Sequence, residues 1–263
     1  MRVVFASARS SPGVTTTVLA CASVWPGRVL LVEASEDGGA LAARFGLAVE
    51  PGLTTLAAAS RHTVGGDTAG LLDEHAQTLP GTDRITALVG PAALEPAQAL
   101  LRTCAARLAG LLESAETDVL IDAGRMPAAP LAAPLIESAD RLVLVVRPRV
   151  EELTALAHRL AHLSTLGPAP GVLLVGDRPY GPDEVADAIG APVLGVLAAD
   201  PAAADALAAC GPTRRLARSS LLRTAGGIVD RLAASRPTSQ PHVGMQGQVN
   251  GRPRRRDLVR GGS

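Results

Sequence analysis

A chain of 263 residues with 47% hydrophobic content has the length for one large α/β domain, and with aromatics at 2% its core must be built from Ala, Leu and Val. Its formal charge of zero is unevenly spread: residues 236–263 hold six Arg against one Asp, which leaves residues 1–235 acidic to the same extent. Cys21, Cys104 and Cys210 stand alone in apolar stretches, which argues against a disulfide framework or a zinc site, and no apolar run reaches the about 18 residues of a membrane span.

In chain order, residues 2–23 (RVVFASARSSPGVTTTVLACAS) give an apolar strand, a small-residue loop, a Thr run and an apolar helix. This is the strand–loop–helix setting of a Walker A loop, G-x-x-x-x-G-K-[ST]. Aligned on Gly13 and Thr15, the first Gly position holds Ala8 and the Lys position holds Val14. No neighbouring lysine replaces it, because all 25 basic residues of the chain are Arg. Further short apolar runs at Val29–Val32, Val119–Asp122, Leu142–Val146, Gly171–Val175 and Val193–Leu197 read as parallel strands buried on both faces, with a weaker one at Ile85–Val89. Leu recurs at three- and four-residue steps over Leu100–Leu112 and Leu153–Leu166, which predicts helices between them. The alternation predicts a doubly wound α/β domain over residues 1–235, with helices on both faces and ligands beyond the carboxyl ends of the strands. Thr213–Ser235 reads as a closing helix weakened at Gly226-Gly227, and residues 236–263 read as a disordered basic tail. The chain opens in a strand, so no leader is expected and the protein is placed in the reducing cytoplasm.

Weaker chemical signals lie elsewhere. His158 and His162 are four apart on a helix, but no Cys or acidic ligand joins them at a fitting spacing, so a solvated helix face is expected. The Ser10-Ser11 and Ser219-Ser220 pairs lack a G-x-S-x-G setting. Arg252–Arg256 (RPRRR) is a contact of the kind made with nucleic acid or an anionic membrane surface, without a nearby aromatic for base stacking.

Several segments together resemble the MinD/ParA family of P-loop ATPases, which position division sites, chromosomes or pili. The family's K-G-G-x-G-K-T-T loop is similar to Arg9-Ser10-Ser11-Pro12-Gly13-Val14-Thr15-Thr16. VLLVEASEDGGALAARFGL (29–47) resembles its second strand and D-x-D segment, and PGLTTLAAASR (51–61) its P-G-L turn. TDVLIDAGR (117–125) has the shape of its Walker B strand, and ADRLVLVVRPRVEELTAL (139–156), GVLLVGDRP (171–179) and APVLGVLAAD (191–200) look like its later strands. The resemblance implies Mg with ATP or ADP as cofactor, Thr15 and Asp122 at the metal, and Arg9, Ser10, Ser11, Gly13, Thr15 and Thr16 around phosphate. It also implies Asp177 beside adenine, Asp200 in the P-x-D loop, a homodimer, and a protein partner from a division, partition or pilus and secretion system.

Three departures bear on activity. Val14 has neither charge nor donor in place of the phosphate-neutralising Lys, and one lost charge-assisted contact costs about 1.5–3 kcal/mol. Pro12 lacks an N–H for the cradle. In the D-x-D segment, Glu33-Ala34-Ser35 puts Ser35 where the family orients attacking water, and the adjacent Glu36 has the wrong strand parity to substitute. Against these, Arg9 stands at the family's signature Lys, which reaches across the dimer, and Arg is a good bidentate phosphate ligand. Three readings stay open at this point. One is a positioning or scaffold protein with little or no hydrolysis, in which Asp122 and Arg9 are the only catalytic candidates. The others are an active ATPase using Arg9 in trans, and a module presenting its basic tail to DNA or, peripherally, to a membrane.

Overall fold

The computed structural model describes residues 1–61, 68–213 and 216–234. The basic tail and the RPRRR run lie outside the described residues.

Among the described residues eight strands form one sheet: β1 Arg2–Ser7, β2 Val29–Glu33, β3 Gln77–Thr78, β4 Ile85–Leu88, β5 Asp118–Arg125, β6 Arg141–Val146, β7 Gly171–Val175 and β8 Val193–Leu197. Their order is β3-β4-β2-β5-β1-β6-β7-β8, and every pairing is parallel except that of the short edge strand β3. The seven runs anticipated from the sequence are the seven parallel strands. The two-residue β3 is too short to leave a pattern.

Among the described residues ten α-helices cover the sheet: α1 Val14–Val24, α2 Leu41–Phe45, α3 Leu53–Ala59, α4 Thr68–His75, α5 Leu94–Glu113, α6 Ala133–Glu137, α7 Val150–Leu166, α8 Pro182–Ile189, α9 Pro201–Cys210 and α10 Ser220–Ala234. Strand residues alternate between two cores, as the pleat requires. Val4, Ala6, Leu30 and Val32 face α3 to α8, and Val3, Phe5, Val29 and Leu31 face α1, α2, α9 and α10. The closing helix starts later than its apolar pattern predicts: a 3-10 turn, Leu216–Arg218, precedes Ser220, and α10 then runs unbroken through Gly226-Gly227. Leu221, Leu222, Ala225, Ile228, Val229 and Leu232 bury one face of it, and this stripe outweighs the low helix propensity of two glycines. Cys21 and Cys104 are buried free thiols, and burial pushes the Cys21 thiol up to about 12.

Strand order positions the site. From β1 the chain crosses to β2 on one side of the sheet, and from β5 it crosses over β1 to β6 on the other. The two halves therefore diverge next to β1, and the crevice beyond the carboxyl ends of β1 and β5 is the ligand position of an open parallel sheet.

The opposite end is held by one carboxylate. Asp118 accepts the N-terminal ammonium at 2.6 Å and the indole N–H of Trp25 at 2.8 Å. Trp25 is 1% exposed and is the only tryptophan. Trp25→Phe removes that donor and leaves a void, so it should cost about 1–3 kcal/mol. A drop in the melting temperature of several degrees, followed by far-ultraviolet circular dichroism, is the expected result.

Candidate functional site

The loop from Ala8 to Gly13 leaves β1 and enters α1. Gly13 caps the helix at φ 99°, in the left-handed region where glycine carries no Cβ penalty. Ser10 has φ 61°, the only positive value among the described non-glycine residues. A side chain there costs about 1–2 kcal/mol, yet the backbone keeps the shape that glycine would give it.

α1 has no side-chain cap and no acidic residue in its first turn. Its first N–H groups, lacking intrahelical partners, thus point into the crevice as an anion site. Behind them the Thr17 hydroxyl donates to the Gly13 carbonyl at 2.9 Å, securing the entry.

Across the crevice, Asp122 sits inside β5 at 4% exposure. Burial pushes its carboxyl above the usual range, while hydrogen bonds from the Thr15 hydroxyl and the Gly124 N–H (2.9 Å), with the charge of Arg44, pull it back. Thr15 and Asp122, assigned to one metal by the resemblance, are in contact. The pair fits Mg²⁺, which takes one or two protein oxygens and completes its shell with phosphate and water. Asp122 enters no salt bridge among the described residues, so a dication would offset a buried charge that hydrogen bonds and the charge of Arg44 relieve only in part.

Position 14 offers no charge to this site. Val14 is 6% exposed and packs into the core that contains Leu41 and Phe45 of α2. Any cation for the phosphates must come from elsewhere.

No family model and no curated protein sequence matches the chain. Among solved structures, the ParA family ATPase from Chlorobium tepidum superimposes with a TM-score of 0.72 at 20% identity, over 88% of this chain and 97% of that one. The cell division ATPase MinD of Pyrococcus furiosus gives 0.69 at 20% identity, over 89% and 98%. The septum site-determining protein MinD of Pyrococcus horikoshii, solved with Mg-ADP, gives 0.68 at 20% identity, over 88% and 95%. The chain has the MinD/ParA fold.

Within that fold the other predicted residues fall into two groups. Arg9 and Ser11 are exposed on the loop, Thr16 is half-buried at the start of α1, and Asp177 is exposed after β7. Asp200 is committed to structure: it caps α9 through the Ala203 N–H at 3.1 Å and accepts the Ser220 hydroxyl at 2.7 Å, which holds its carboxyl below the usual range. His158 and His162 are exposed, and no cluster fit for a metal exists among the described residues.

The D-x-D segment is rebuilt around hydrogen bonds to backbone. Glu33 accepts from Ala40 N at 2.6 Å, Leu41 N at 2.9 Å and Gly90 N at 3.0 Å. The Ser35 hydroxyl accepts from Asp37 N at 3.3 Å and lies so close to Gly124 that a Cβ there would stand 2.5 Å from it. Glu36 is buried, turned away from the loop to accept from Leu131 N at 2.5 Å. Strand parity does not decide its position, because β2 ends at Glu33; the pull of the α6 approach does.

Sequence reasoning missed Arg159. From α7 its Nη1 donates to the carbonyls of Ala8 (2.8 Å) and Met126 (2.5 Å), and its Nη2 donates to that of Pro127. It ties the start of the loop to the segment after β5. No local signal marks it, since an Arg on an amphipathic helix reads as solvated.

The raised pKa of Asp122 has a consequence for stability. Between the unfolded value of 3.8 and the raised folded value the native state holds the proton more tightly, so stability falls as pH rises through that window. Above it the ionised buried carboxylate is a standing cost. Asp122→Asn keeps an acceptor for Gly124 and an amide for Thr15 without the charge. It should therefore melt higher than the parent at pH 7 and lose part of the fall between acid and neutral pH, as read by calorimetry across pH.

Proposed function

We propose that this chain is a MinD/ParA-like positioning or scaffold protein that holds Mg-nucleotide weakly and hydrolyses it little or not at all. The observation that carries the reading is the uneven survival of the site. Thr15 and Asp122 still meet where a metal would bind, while position 14 is core and the Ser35 hydroxyl is engaged in its own turn. Mg²⁺ would be held by Thr15 and, directly or through water, by Asp122, and it supplies positive charge to the phosphate oxygens when bound. The N–H groups of the first turn of α1 and the hydroxyls of Ser10, Ser11 and Thr16 would face the phosphates, Gly13 would allow their close approach, and Asp177 would stand at the base end. Ser35 stands where the family's water-orienting carboxylate would be, and that supports the expectation of little or no turnover.

The exposed Arg9, outside every salt bridge among the described residues, favours a second reading in which two copies meet across the nucleotide and Arg9 reaches the partner's phosphates. That arrangement restores charge in trans, and ATP-dependent dimerisation lost in Arg9→Ala is its signature in light scattering. In either reading a protein partner of the positioned system would dock on the nucleotide-bound form.

Calorimetric titration of Mg-ATP and Mg-ADP tests the first reading. Binding weakened at least about tenfold by Thr15→Ala, together with turnover no higher than that of Asp122→Asn, is expected. Turnover that Asp122→Asn abolishes would overturn the proposal.

A further inference from the structure

The loop between β1 and α1 keeps a conformation that its own residues do not favour. Ser10 sits at φ 61°, and a strained residue of this kind persists only where the surrounding structure fixes it. At its far end the loop is fixed by α1, where the Gly13 carbonyl accepts the Thr17 N–H at 2.8 Å and the Thr17 hydroxyl at 2.9 Å. At its near end it is fixed by a distant element. Resting on the reading that the crevice takes Mg-nucleotide, we propose that Arg159 of α7 is a positioning residue for that site. It holds the start of the loop and the exit of β5 in one fixed relation, and through them Thr15 and Asp122.

The geometry is that of a clamp. Nη1 of Arg159 donates to the carbonyls of Ala8 at 2.8 Å and Met126 at 2.5 Å, and Nη2 donates to that of Pro127. Ala8 opens the loop two residues before Ser10, and Met126 is the first residue after the strand that carries Asp122. These two segments also meet directly, since the Met126 N–H donates to the Ser7 carbonyl at 2.9 Å. The guanidinium adds a third body, because α7 follows β6, which lies on the other side of β1 from β5. Its base is firm: Leu153, Leu156, Leu160 and Leu163 bury α7 in the core before and after position 159. Arg159 takes part in no salt bridge among the described residues, and its Nε is buried there without a hydrogen-bond partner. A guanidinium that leaves one N–H buried and unmet is kept in place by its other bonds. Here those are three main-chain carbonyls at the two edges of the site. A planar fork spans them together, which a point ammonium does not.

The test compares the full chain with Arg159→Gln, Arg159→Lys, Thr15→Ala and, as a control for net charge, Arg107→Gln on the exposed side of α5. Each is titrated calorimetrically with Mg-ADP and with ADP in EDTA, and amide hydrogen exchange is followed on the nucleotide-free chain. Arg159→Gln should speed exchange about tenfold or more within residues 9–13 and 126–129 while β6 and α10 exchange as in the parent. It should weaken Mg-ADP by about tenfold and narrow the advantage of Mg-ADP over ADP, as Thr15→Ala does. Arg159→Lys should fall between the Gln variant and the parent, and it carries the test if the Gln variant does not fold. Arg107→Gln should match the parent throughout. Faster exchange spread evenly over the domain makes Arg159 a general structural residue and overturns the proposal. Parent-like Mg-ADP affinity in both Arg159 variants, beside a loss in Thr15→Ala, overturns it too and leaves the nucleotide site standing. No binding by the parent chain overturns both.

Discussion

Two buried carboxylates at the ends of neighbouring strands govern the functional edge of this molecule. Glu33 and Asp122 stand side by side on β2 and β5, and both are almost fully buried. They are handled in opposite ways. Glu33 is enclosed by three backbone N–H groups, from Ala40, Leu41 and Gly90, so it joins the end of β2 to the start of α2 and to the exit of β4. Burial still pushes its carboxyl up, with those donors and then the charge of Asp122 as smaller influences. It is spent on architecture. Asp122 has one backbone donor and one hydroxyl, and carries its burial cost largely unrelieved.

That contrast separates two meanings of a carboxylate in a P-loop-like crevice. A group that only caps a turn is cheap when its donors are complete, and Asp200 meets that description. A buried charge left short of partners is expensive, and folded proteins retain such groups mainly where a ligand completes them. Asp122 belongs with the second kind. The loop gives matching testimony, since Ser10 holds a left-handed conformation that a serine adopts only at a cost.

Much of this was legible in the sequence. Parallel strands buried on both faces leave continuous apolar runs, and each of the seven such runs marked a strand. The pairing of Thr15 with Asp122 came from the family resemblance, and the structure sets their elements side by side, β1 next to β5 in the sheet. Contacts made by long side chains across the fold were not legible. Arg159 serves carbonyls 33 and 151 residues away, and Arg44 acts on a carboxylate in a different strand. Neither residue has a local pattern that distinguishes it from a solvated Arg. Glu36 was weighed on strand parity, which does not apply once β2 stops at Glu33. Short or Ala-rich elements such as β3 and α9 left too little periodicity to read.

The absence of lysine gives these long-range arginines their weight. A P-loop lysine neutralises phosphate from within the loop, on the short lever of its own helix. When that position becomes core, as at Val14, helix packing gains and the crevice loses its nearest cation. An arginine is longer, always charged and more weakly hydrated, so it can deliver charge from a neighbouring element without that element being rebuilt. Such delivery is better suited to holding a ligand than to chemistry. Turnover asks for charge fixed at the developing transition state, and an exposed guanidinium is less rigidly held than a lysine seated in a loop. On the proposed reading, a core residue at position 14 and Ser35 in place of a water-orienting carboxylate both favour recognition over catalysis.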